Sequence, residues 1–227
     1  MSNKFPMPTS LQRGFLAGTL IALFLVIFGW VLEPATSLLS IGAATAILVI
    51  YAGLVFVFSP RLYRRNPLIL QAAIVFGLIA GVIFVSEILW EYLTLPADNT
   101  QLGYLEFGGV FFVYFLSSVL VAYRSRKMGQ AVLTGIASAM IASLIWLIAV
   151  LAVFYLFRGS PQQTQVFRAE GNYADFAQSG MSDFNTFIME DFLGAAAYHL
   201  LLGPIVAIIL GAFGGLIGKG LAKLRQH

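Results

Sequence analysis

An all-α membrane protein is the fold class this sequence predicts, and three observations carry that reading. Of 227 residues, 59% are hydrophobic and 10% charged, far from the roughly 25% charged residues of soluble chains. Mean hydropathy is +0.89. Apolar runs longer than about 18 residues recur along the chain, separated by short clusters of proline, asparagine and arginine. Six runs are expected to cross the bilayer as three antiparallel hairpins, forming a single transmembrane domain over residues 1–227 with both termini cytoplasmic.

The first span, about residues 14–32, follows a short basic leader with Pro6 and Pro8 and stops at Glu33-Pro34. It exceeds the roughly 7–15 residues of a signal-peptide core and no A-x-A-like cleavage site follows, so it reads as retained. The second, about 36–58, ends in the run Ser59-Pro60-Arg61 to Arg65-Asn66-Pro67. A third, about 68–95, stops before the turn-forming Pro96-Ala97-Asp98-Asn99. The fourth, about 102–123, runs into Arg124-Ser125-Arg126-Lys127, and the fifth covers about 129–157. A polar loop, about 158–189, precedes the sixth, about 190–217, which ends among Lys219, Lys223 and Arg225.

Charge placement sets the expected orientation. Lys4, Arg13, Arg61, Arg64, Arg65, Arg124, Arg126, Lys127, Lys219, Lys223 and Arg225 all fall at the termini or in the loops after spans two and four. Six crossings put those places on one side, which the positive-inside rule makes cytoplasmic, as in a bacterial cytoplasmic membrane. The net charge of +3 is thus explained by insertion. Basic residues spread over four short segments present no nucleic-acid recognition module.

Against this background, the carboxylates inside spans stand out. Glu87 and Glu91 lie i, i+4 on one face of span three, and helix rise places Glu106 of span four level with Glu91. A charge in hydrocarbon costs a few kcal/mol on insertion scales, so these groups must face protein, water or a cation. They are candidate ligands for a small cation, a proton or an amine. The alternative reading has Glu91 and Glu106 snorkelling to the interface. His199 of span six falls level with Glu87 by the same counting, and is either a ligand or a packing residue. Gly203-Pro204 follows it as a candidate hinge or a tolerated kink, since Pro204 frees the Leu200 carbonyl.

Small-residue stripes point to close helix packing. They are Gly14 with Gly18, Gly77 with Gly81, Gly211 with Gly215, and Gly214 with Gly218. The tail Gly214 to Gly220 fails the phosphate-loop template, with Phe213 at its first glycine and Gly220 at its hydroxyl position. No cysteine exists for a thiolate metal site or covalent haem, and no metal site or cofactor is read from the sequence. Neither G-x-S-x-G nor H-E-x-x-H occurs, so an enzyme is not expected.

The loop at 158–189 mixes turn formers with Phe167, Tyr173, Phe176, Phe184 and Phe187. It predicts a short interfacial helix beginning at Ser182 or Asp183, and a lid or docking surface. Two functions remain. One is an accessory or scaffold subunit that packs on other membrane subunits, or on itself, through its glycine faces and aromatic loop. The other is a small carrier or substrate-binding subunit using the carboxylates. The lipid bilayer is the partner common to both.

Overall fold

The computed structural model describes residues 7–94 and 100–225. Eight helices appear in order: α1 (Met7–Leu32), α2 (Leu38–Arg65), α3 (Pro67–Thr94), α4 (Thr100–Ser125), α5 (Met128–Leu156), α6 (Pro161–Ala169), α7 (Asn172–Ser179) and α8 (Phe184–Leu224). All but α6 and α7 are long and apolar enough to cross a membrane, which gives six candidate spans of an integral, multi-pass protein. The leader through Pro6 and the turn at 96–99 lie outside the described residues.

Helix ends follow local chemistry. Ser37 caps α2 by accepting from the Leu39 amide at 3.1 Å. Beyond the expected end near Phe58, α2 continues through Pro60 to Arg65. Its last turns need no lipid, because Arg61 lies over the Phe58 ring at 5.7 Å and the other arginines reach out to solvent. Asn66 then ends α2 and opens α3, its side chain accepting from the Leu68 amide at 3.1 Å and donating to Gln130 at 2.8 Å. Pro67 fills the first position of α3, where its missing amide costs nothing.

The loop between spans five and six is more structured than the sequence reading expected. Ser160 caps α6 by accepting from the Gln163 amide at 3.1 Å, and the Gln163 side chain accepts from the Gly159 amide one residue upstream of the cap. Gly171, at φ +82°, turns the chain into α7. Asp183 caps α8 by accepting from the Thr186 amide at 2.7 Å, and its carboxyl is held below the ordinary range by that bond and the neighbouring side-chain contact with Thr186. The helix expected to begin at Ser182 or Asp183 is not separate from span six. Instead α8 is one helix of 41 residues, about 61 Å at standard rise, roughly twice the hydrocarbon thickness. Its first turns stand beyond the apolar core and pack with α6 and α7 through stacked Tyr173 and Phe184, ring centroids 4.4 Å apart.

At the centre stands α5, whose apolar window is 61% buried against 22–44% for the other spans. The closest packing joins α3 to α5, α5 to α8 and α4 to α8, while α1 and α2 lie outside this group. Glycine explains why these helices approach. A Cβ at Gly77 would stand 2.9 Å from the Ser138 carbonyl oxygen, and one at Gly214 2.8 Å from that of Phe115. Gly81 faces Ile145 of α5, Gly211 faces Val132, Gly215 faces Met128 and Gly218 meets the Val119 carbonyl of α4. Gly18 meets Leu144, but Gly14 has no neighbour within 4 Å. The stripes read as possible faces toward other subunits are therefore mostly consumed inside the chain.

Buried hydroxyls at these contacts are satisfied. Ser118 bonds the carbonyls of Tyr114 and Ala131, the latter at 3.0 Å, and Ser138 returns to Thr134 at 3.0 Å.

Candidate functional site: carboxylates above an aromatic crevice

Helical spacing puts Glu87 and Glu91 on one face of α3, and α4 brings Glu106 within electrostatic reach of both. Gly103 of α4 faces Glu87 at this crossing, with room for a Cβ at ordinary contact distance. A Cβ on Gly103 would lie 3.6 Å from Glu87 Oε1.

A fourth acid comes from sequence far away. Glu170 ends α6, and its carboxyl donates a hydrogen bond to Glu91. The residue is open on its outer side, yet the carboxyl sits in a recess crowded by protein. Desolvation there, and then the negative charge of Glu91, push Glu170 up to about 8. Gln163 holds α6 in place: buried to 4% exposure, it donates to the Phe154 carbonyl at 3.0 Å, accepts from the Gly159 amide at 2.9 Å and pairs with the Tyr92 hydroxyl.

Among the described residues these four acids form no ion pair. Among the described residues the ion pair present is Arg158 with Glu33, at the neighbouring ends of α5 and α1. Glu33 is 7% exposed, and desolvation raises its carboxyl above the usual range despite the arginine. Glu190 is likewise occupied, accepting from the Ser37 amide and the Ser40 hydroxyl. By contrast, Glu106 Oε2 is shielded from solvent and has no hydrogen-bond partner among the described residues.

His199 does not join the carboxylates. It packs one turn deeper, in a box of rings: Trp146 at 4.1 Å, Phe84 and Phe107 each at 5.8 Å, and Tyr198 at 6.2 Å between centroids. Phe84 precedes Glu87 by one helical turn and Phe107 follows Glu106 directly, so this aromatic layer floors the acidic cluster. No group of three or more His, Asp or Glu side chains among the described residues is arranged to hold a metal ion.

Beside His199 opens a crevice of about 320 Å³, lined by Phe84, Phe107, Phe111, Tyr114, Tyr198 and Leu202 among others. It exists because α4 and α8 close on glycine at Gly211–Gly218 but must part where rings replace glycine. Tyr198 is 63% exposed and Phe111 36%, so its rim faces the lipid side of the bundle. Gly203 lines it as well, and Ser143 Oγ approaches there to donate to the His199 carbonyl at 3.2 Å.

Comparison with protein-family models, curated proteins and solved structures gave no match.

Glu170 and Trp146 are the residues that sequence reasoning left out. Glu170 carried one usable signal: Ser160 followed by Pro161, a cap and first helical position, and the Gly171 stop mark a helix that ends on this acid. Trp146 carried none, since it lies in an unbroken apolar run.

Proposed function

We propose that the protein is a non-enzymatic membrane carrier or substrate-binding subunit that holds a small organic cation at Glu87, Glu91 and Glu106, with Glu170 and the α6–α7 segment at the mouth. The observation that carries this reading is an acidic cluster at the edge of an apolar bundle that forms no ion pair with arginine or lysine among the described residues. Carboxylates so placed need compensation, and a shared proton or an incoming cation supplies it. Shielded Glu106 Oε2 is an acceptor awaiting a donor. Under the positive-inside rule the basic ends of the spans face the cytoplasm, so the site opens to the opposite compartment. The spans then form three antiparallel hairpins with both termini cytoplasmic.

Thermal stabilisation in lipid nanodiscs tests the reading directly. A panel of alkylammonium ions and inorganic cations is titrated against the native chain and Glu87→Gln. Stabilisation by an organic cation that Glu87→Gln abolishes is expected. An unchanged response in the variant removes Glu87 from the site.

An accessory-subunit role is favoured by a different surface. Gly42, Ala46 and Gly53 are exposed on α2, and neither glycine has an atom near where a Cβ would stand. Such a face suits a second membrane helix. Gentle extraction from the native membrane should then recover a stoichiometric partner, and recovery as a monomer alone argues against it.

A further inference from the structure

The acidic cluster and the crevice are adjacent, and their chemistry is complementary in a way that narrows the ligand. Above are carboxylates that form no ion pair among the described residues; below is a recess walled by rings and leucine. Glu87 lies three residues beyond Phe84 along α3, a rise of about 4.5 Å, so one ligand of a few carbon–carbon bonds can touch both levels. The volume, about 320 Å³, is at the small end of ligand sites, which run from about 300 to 1,000 Å³. It is too apolar for a hydrated metal ion and too short for a complete lipid.

We infer that the crevice between α4 and α8 receives the apolar body of an arylalkyl ammonium ion whose charged head is held by Glu106 and Glu87. This rests on the cation-binding reading above and specifies its substrate class. Three features support it together. Glu106 Oε2 is a shielded acceptor with no donor, as a site for an N–H group requires. Phe107 and His199, nearly parallel at 16°, both line the crevice, so an aromatic body entering it packs against rings. The exposed rim at Tyr198 and Phe111 gives an amphiphile a lateral path from the bilayer, with its apolar end never leaving an apolar medium.

The test compares two amines with the same head, 4-phenylbutylammonium and n-butylammonium, by titration calorimetry in nanodiscs. The native chain should bind the phenyl compound at least about tenfold more tightly. Leu202→Trp, which fills the crevice from α8, should erase that preference while leaving n-butylammonium binding in place. Val206→Phe, on the same wall, provides a second variant should Leu202→Trp fold poorly. Equal affinity of the two amines for the native chain, or a phenyl preference that survives both variants, overturns the crevice assignment and leaves cation binding at the carboxylates standing. Binding of neither amine overturns both.

Discussion

The Tyr51 hydroxyl donates to the Leu200 carbonyl, the carbonyl that Pro204 leaves without its amide partner, so a side chain of α2 repairs the break in α8. Both residues are buried, Leu200 at 0% exposure. A satisfied break in a continuous helix describes a kink held in place better than a free hinge.

Tyr51→Phe should therefore cost about 1–2 kcal/mol, since it strands a buried acceptor. In a Pro204→Ala background the helix can supply its own amide, and the cost should shrink by about half or more. Unfolding in bicelles across the four-member cycle measures both numbers. A cost unchanged by Pro204→Ala would show that the Tyr51 hydroxyl does not act by repairing the break at Pro204.

Glycine contacts make a second expectation, because the same substitution should differ sharply by position. Gly77→Ala and Gly218→Ala press a Cβ into Ile141 and into the Val119 carbonyl, and should destabilise by about 1–3 kcal/mol or more. Gly14→Ala and Gly220→Ala meet nothing within 4 Å and should be near neutral or slightly stabilising, as alanine is the better helix former. Thermal melts of the four variants decide it; equal effects at all four sites would contradict the packing described.

Docking of α6 should depend on pH through Glu170. Its pKa rises from the ordinary 4.5 to about 8, because desolvation and the Glu91 charge favour the protonated form when α6 is docked. The docked state thus binds the proton more tightly, so the stabilisation is complete below about 4.5 and is lost as pH rises through about 8. Hydrogen exchange over residues 161–169, corrected for intrinsic rates, should be faster at about pH 9 than at about pH 6. Glu170→Gln should hold the segment protected at both. Equal protection of the native segment at the two pH values would exclude the Glu91–Glu170 bond as a latch.

How much of this was legible in the sequence depends on the range of the interaction. The six spans were readable because apolar length is a local property, and Asn66-Pro67 and Asp183 were readable because caps act within three residues. Grouping Glu87, Glu91 and Glu106 needed only helix spacing and one short connection. Counting along the axis put His199 level with Glu87, whereas it packs a turn deeper beside the rings of Phe84 and Phe107, because residue counts from two different helix ends do not share one zero. Tyr51 with Leu200 and Glu91 with Glu170 join residues remote in sequence, and nothing local announces either pair. The glycine stripes were legible as contact faces, but which helix each face meets was not.

Site occupancy can be read at the carboxylates themselves by labelling with a hydrophobic carbodiimide, which couples to protonated carboxyl groups in apolar surroundings, followed by peptide mass spectrometry. Modification of Glu87 or Glu106 that saturating 4-phenylbutylammonium suppresses is the expected result. Labelling of both residues that proceeds unchanged at every concentration of the amine would contradict a cation site at this end of the bundle.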